Sequence, residues 1–317
     1  MIVYPERLQT GDAVALVAPS SPPMDAQIVD ASIQALETMG LRVKPGKSLR
    51  NRHGFLAGSD AERAADLITA FQDESVKAVI CLRGGYGAAR LLPWLDFELI
   101  AKQPKILVGF SDITALHSAI HRLTGLVTFH GPMASSDFAK PDCPGFTSGS
   151  WLRTLTQPVA AGGIRQGYDP PNIEVVRGGK AEGRLTGGNL SILCSLLGTP
   201  YQPDFQNRIL FLEDVDEAPY RMDRMLTHLL NAGLLQQVNG VAFGICRLCL
   251  DPKAKTMTEY RQTLEDVIRE RLSPLNVPVV MGLPFGHIRL NATIPVGAQA
   301  LLDGDAGDLV ITEPAVK

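Results

Sequence analysis

The chain has 317 residues, enough to bury one large core or two smaller ones. It is 45% hydrophobic and 20% charged with a formal net charge of −3, a globular composition without the basic footprint of a nucleic-acid binder. No apolar run reaches membrane-spanning length, and Met1 to Arg7 lack the charged start and apolar core of a signal peptide, so a cytoplasmic protein with no membrane partner is expected.

The first half alternates strands and helices. Ala13–Ala18 reads as a buried strand that ends at Pro19-Ser20-Ser21-Pro22. A helix is predicted from about Asp25 to Met39, stopped by Gly40, then a short strand at Leu41–Val43. Asp60–Phe71 is helical, capped by Ser59 or Asp60. The strand Val76–Leu82 runs into Arg83-Gly84-Gly85-Tyr86-Gly87 and a helix through Leu92. Next, the apolar run Ile106–Val108 ends at Gly109-Phe110-Ser111-Asp112. A helix follows, with Ile113, Leu116, Ile120 and Leu123 on one face and Gly125 as its stop. Leu126–Phe129 is a further strand, leading to His130. Such alternation predicts a parallel sheet flanked by helices, with the working site at the carboxyl ends of the strands. Pro19, Gly84, Gly85, Ser111 and His130 all fall there.

From Ala134 to about Gly179 prolines, glycines and serines dissolve the pattern. A second unit begins near Ala181. Gly187-Gly188-Asn189 opens a helix from Leu190 to Leu197, and Arg208–Glu213 is a strand. A helix from Pro219 to Leu230, a strand from Val238 to Ile245 and a helix from Thr258 to Arg271 follow. Val277–Met281 and the tail from Ala292 to Ile311 read as short strands. The expectation is an α/β protein with an N-terminal domain over 1–150, a connecting segment over 151–180 and a smaller, β-rich C-terminal domain over 181–317.

Ser111 sits where a strand, a tight turn and a helix N-terminus meet, a geometry that presents a nucleophile. From this segment alone the N-cap reading of Ser111 is the stronger, and Ile113 stands where a G-x-S-x-G elbow would have its last glycine. The glycine loop after Leu82 suits an oxyanion or phosphate but matches neither a P-loop nor G-x-G-x-x-G. Glu213 ends a buried strand with no local duty, whereas Asp216 and Glu217 can serve the helix at Pro219. His117 and His121, four apart, read as a surface helix face, and His53 and His228 lack supporting context. His130 and His287 both lie in loops at strand ends, and either is a candidate base. The five cysteines fit free thiols in a reducing compartment, and Cys246-Arg247-Leu248-Cys249 alone makes a poor zinc or redox site.

Taken together, Val14–Ser20, Leu56–Asp60 with Arg63–Asp66, Leu82–Gly87, Gly109–Asp112, His130–Pro132, Gly187–Asn189, Leu212–Asp214 with Pro219–Arg224, and Gly286-His287 resemble the LD-carboxypeptidase family of serine peptidases. The resemblance covers nearly the whole chain. It implies a Ser–His–Glu triad of Ser111, His287 and Glu213, choosing His287 over His130, and an oxyanion hole from the amides of Gly85 and Asp112. It implies no metal or cofactor, and a homodimer. The expected substrate is a murein tetrapeptide, losing its terminal D-alanine at an L,D bond during cell-wall recycling. Arg83 and Arg289 are candidate readers of the substrate carboxylate, and Tyr86 and Asn189 further substrate-binding candidates. Two alternatives remain: a microcin-type peptide–nucleotide amide hydrolase conferring immunity, for which Trp94 and Trp151 are the only tryptophans available, and a noncatalytic anion- or sugar-binding protein built on the two glycine loops.

Overall fold

A computed structural model describes residues 1–168, 173–250 and 262–317. Five parallel strands, β1 (Ala13–Val17), β2 (Arg42–Pro45), β3 (Val76–Cys81), β4 (Ile106–Gly109) and β5 (Thr128–His130), form most of one sheet. Helices α1 (Gln27–Thr38), α2 (Asp60–Gln72), α3 (Phe97–Lys102) and α4 (Thr114–Thr124) cover it. After α5 (Gly145–Thr156), most remaining strands build a second sheet: β6 (Ala160–Gly163), β7 (Glu174–Arg177), β8 (Lys180–Asn189), β9 (Arg208–Glu213), β10 (Gly240–Gly244) and β11 (Val279–Leu283). Among them lie α6 (Leu190–Ser195), α7 (Pro219–Asn231) and α8 (Leu264–Leu272). β12 (Ile294–Val296) returns to the first sheet, and β13 (Gln299–Asp303) and β14 (Asp308–Pro314) complete the second. The expected α/β class is thus what the chain adopts. Among the described residues no helix is long and apolar enough to cross a membrane.

The strand orders are β12-β5-β4-β3-β1-β2 and β6-β14-β13-β8-β9-β10-β11-β7. β8 through β11 run parallel, so the second sheet also gathers its carboxyl ends on one edge. β12 lies antiparallel to β5, pairing Ile294 with His130. The stretch from 134 to 179, expected to lack regular structure, holds a π-helical turn at Ala134–Phe138, α5, β6 and β7. Its glycines and serines mask α5, which is held by burial of Trp151 and Leu155 and not by propensity. β6 and β7 are edge strands whose partners lie more than a hundred residues away, so no local pattern announces them. The helix through Leu92 is a 3₁₀ segment, Ala88–Trp94, with Pro93 inside it. Thr258 lies outside the described residues, and the helix expected there is seen from Leu264. Ile113, just before α4, and Leu116 and Ile120 on it are buried as expected, but Leu123 is exposed.

Two conspicuous motifs prove to be scaffold. Arg63, fully buried on α2, donates to the carbonyls of Pro19, Gly58 (3.3 Å) and Gly87 (3.0 Å) and pairs with Asp60. One guanidinium thereby ties the loops after β1 and β3 to α2, using several of its five donors at once. Asp66, one turn on, accepts from the amides of Lys47 and Ser48 and the Ser48 hydroxyl at 2.6–2.9 Å, fixing the chain after β2.

Candidate active site

Ser111 follows β4 at φ +65°, the left-handed region that a side chain bearing Cβ occupies at a cost of about 1–3 kcal/mol. A 3₁₀ turn, Ser111–Ile113, then leads into α4. Ser111 caps nothing with its side chain: among the described residues its hydroxyl has no hydrogen-bond partner, and the turn holds it half-buried. The strain is held by neighbours. The Asp112 carboxylate accepts from the Ser20 hydroxyl at 2.5 Å and the Ala88 amide at 2.7 Å, joining the ends of β1, β3 and β4. Burial raises the pKa of Asp112 against these bonds. A Cβ on Gly84 would stand 2.9 Å from Ser111 Cβ and 3.1 Å from its Oγ, so the glycine loop gives the serine its space.

The second sheet brings the partners. Glu213, at the end of β9, is fully buried, and its Oε2 accepts from His287 Nδ1 at 2.7 Å. Burial opposes the charge on Glu213, but the bond and charge of His287 outweigh it and hold the carboxyl below its ordinary range. Burial likewise opposes charge on His287, yet the Glu213 bond, with Glu213, Asp214 and Asp137 nearby, raises its pKa. A carboxylate on Nδ1 leaves Nε2 free to take a proton. The Phe110 and His287 rings meet edge-to-face at 5.0 Å, which puts His287 beside the serine turn. Contact between the two halves is close enough that a Cβ on Gly188 would stand 2.4 Å from Thr114 Oγ1 on α4.

A cavity of about 630 Å³ opens beside this pair, lined by Phe110, Asp137, Lys140, Arg247, His287 and Arg289 among others. Of the substrate-binding candidates, only Arg289 lines it, paired with Asp142. Arg83 is half-buried, with its guanidinium on the Pro22 carbonyl at 3.3 Å, and Tyr86 is exposed against Phe55. Asn189 is buried; its Oδ1 caps α6 and its Nδ2 binds Asp214, so its amide serves the acid loop. Asp137 and Lys140 were hidden in the patternless stretch, and Asp137 is pushed up to about 6 by burial. Arg247 follows the carboxyl end of β10, a position the strand-end rule could have flagged.

The pair His117 and His121 is corrected. His117 is buried, not on a surface face, and its Nε2 bonds the Gly109 carbonyl at 2.8 Å where β4 ends. Burial pushes it down to about 3, so the ring is neutral and Nε2 carries the proton. His121 is half-buried and bonds the Leu126 carbonyl at 3.0 Å. His117 adds a second donor to the Gly109 carbonyl, which also accepts from the Gly131 amide at 3.1 Å, and His121 supplies a donor to the Leu126 carbonyl just before β5.

Residues 14–131 match the LD-carboxypeptidase N-terminal domain, and residues 182–302 match the LD-carboxypeptidase C-terminal domain. A probable murein peptide carboxypeptidase of Bacillus subtilis is 43% identical over 306 residues, covering 94% of this chain and 91% of the relative. The crystal structure of muramoyltetrapeptide carboxypeptidase from Oxalobacter formigenes matches with a TM-score of 0.81 at 33% identity, covering 95% of this chain and 99% of that one. A variant of the microcin C7 self-immunity protein MccF, solved in complex with adenosine monophosphate, matches with a TM-score of 0.89 at 25% identity, covering 99% and 100%. With both domain matches in chain order and relatives similar over nearly its full length, the chain belongs to the LD-carboxypeptidase family.

Proposed function

We propose that this chain is a serine carboxypeptidase that releases the terminal D-alanine of a murein tetrapeptide at an L,D bond, in cell-wall recycling in the cytoplasm. The observation that carries the reading is the 2.7 Å bond between Glu213 and His287 beside a strained serine turn in a chain of this family. Ser111 Oγ attacks the scissile carbonyl while His287 Nε2 takes its proton. Glu213 holds the tautomer and stabilises the imidazolium, and the amides of Gly85 and Asp112 receive the oxyanion. The imidazolium protonates the leaving D-alanine amine, and water activated by His287 then hydrolyses the acyl-enzyme. Arg289 and Arg247 supply positive charge for the substrate's carboxylates. The working unit is a homodimer, which sedimentation tests against the 34.2 kDa chain.

The direct test is incubation with a murein tetrapeptide ending in D-alanine beside its all-L analogue. Release of D-alanine from the first alone, abolished in Ser111→Ala and His287→Ala, is expected. No release from any peptide overturns the reading. The nucleotide-amide alternative is less well supported. Trp151 is buried against Phe138, Trp94 is exposed on the 3₁₀ segment, and neither lines the cavity.

Two further outcomes follow. Since His287 must be neutral to accept a proton and its pKa is raised above 6.5, kcat/KM should fall as pH drops, with the midpoint above pH 6.5. A midpoint below that value in a pH–rate profile contradicts the assignment. Gly84→Ala should push Ser111 aside, lowering kcat by at least about 100-fold at a stability cost of about 1–3 kcal/mol, read by steady-state kinetics and thermal melts.

A further inference from the structure

His130 has no duty in this mechanism, yet its surroundings point to one. It closes β5, paired with Gly109 on β4 and Ile294 on β12, and it is fully buried. Among the described residues neither ring nitrogen has a hydrogen-bond partner. Its ring lies 5.3 Å from Phe211, edge-to-face, and 6.0 Å from Phe110. Phe211 is two residues before Glu213 on β9, so strand alternation projects both side chains from the same face, toward His130.

The charge of the Glu213 carboxylate acts on that ring, and the carboxylate has an oxygen to spare. Glu213 Oε2 is engaged by His287, but among the described residues Glu213 Oε1 is buried without a hydrogen-bond partner, the Asn189 amide lying near enough only to add to the lowering of the carboxyl pKa. Asn291 Nδ2 is in the same state, while its Oδ1 accepts from the Gly286 amide beside His287. Orphaned donors and an orphaned anionic acceptor in one buried cluster are too costly to be incidental. Burial pushes His130 down to about 4 although Glu213 pulls the other way, so its ring is a neutral donor at the pH of catalysis.

We propose that His130 is a positioning residue for Glu213, its imidazole N–H supporting Oε1 directly or through one bridging water, with Asn291 as the companion donor. This rests on the reading of Glu213 and His287 as the acid–base pair. The support fixes the carboxylate's orientation and spreads its charge. Without it, the desolvated carboxylate grips the proton on His287 more tightly, so the His287 pKa rises. The other titratable and charged groups facing this pair are Asp214 and Asp137 toward His287, with Lys140, Asp142, Arg247 and Arg289 around the cavity it lines, Asp214 and Cys246 toward Glu213, and His117 toward His130. Of these only His117 is itself influenced by His130, and burial, the larger cause, keeps that ring neutral in the variants as well.

The test compares the full chain with His130→Phe, which keeps a ring but no donor, and His130→Gln, which restores one. With ¹⁵N-labelled histidine, the NMR titration of His287 should move up by about one pH unit in His130→Phe and return most of the way in His130→Gln. With murein tetrapeptide, the acid limb of kcat/KM should move with it. The kcat should fall on the order of 10- to 100-fold while KM stays within about twofold, since His130 does not line the cavity. The smaller His130→Leu serves if His130→Phe does not fold. An unmoved His287 titration overturns the inference, as does a loss of activity that tracks only a lower melting temperature. If the wild type cleaves no peptide but the titration still moves, the peptidase reading fails and this inference stands.

Discussion

Ser111→Ala should lower kcat on the order of 10⁴- to 10⁶-fold while leaving KM and the melting temperature near those of the parent. The substitution removes one atom. That atom makes no hydrogen bond among the described residues, and the left-handed backbone at 111 is strained equally for serine and alanine, so stability should change by no more than about 0.5 kcal/mol. Activity surviving at more than about a hundredth of the parent would remove Ser111 as nucleophile. It would mean that another group carries the chemistry; the noncatalytic alternative, in which the glycine loops merely hold an anion, instead predicts no turnover by the parent. Melting the variant beside the kinetics separates this from trivial unfolding.

Glu213→Gln should cost about 10⁴-fold in kcat with little effect on KM. The amide nearly matches the carboxylate in shape but presents either an oxygen or an NH₂ to His287 Nδ1. The second choice leaves the proton on Nε2, where it blocks catalysis. The lost charge also removes what raises the His287 pKa, so the residual activity should have its acid limb at lower pH than the parent. This shift is opposite in sign to that expected for His130→Phe, so the two variants distinguish removal of the carboxylate's charge from loss of its support. An acid limb that does not move in Glu213→Gln would show that the 2.7 Å bond does not govern the base.

The candidate triad was legible because each member breaks a local rule. Ser111 interrupts a strand–helix junction, Glu213 puts a charge at the end of an apolar strand, and His287 sits in a glycine-flanked loop between strands. The buried histidines were misjudged for the opposite reason. The four-residue spacing of His117 and His121 is what an exposed face would show, and only the tertiary contact with the Gly109 carbonyl reveals that one is internal. Asn189 looked like a ligand-binding residue because it follows two glycines, yet its amide caps α6, binds Asp214 and helps lower the pKa of Glu213. Arg63 and Asp66 contributed to the family resemblance, but their work is to moor loops. The cavity was largely illegible. Arg247 and Asp137 come from segments with no periodicity of their own and meet His287 only through the packing of two sheets.

The return of β12 to the edge of β5 bears on how the protein is made. The strand that covers His130 is encoded by residues 294–296, so the nucleophile's own sheet stays open along one side until almost all of the chain has left the ribosome. During synthesis that bare edge is a template for pairing with another nascent chain. A fragment ending near residue 150 would carry the same defect permanently. It should aggregate, and it should be rescued by supplying the C-terminal half in trans.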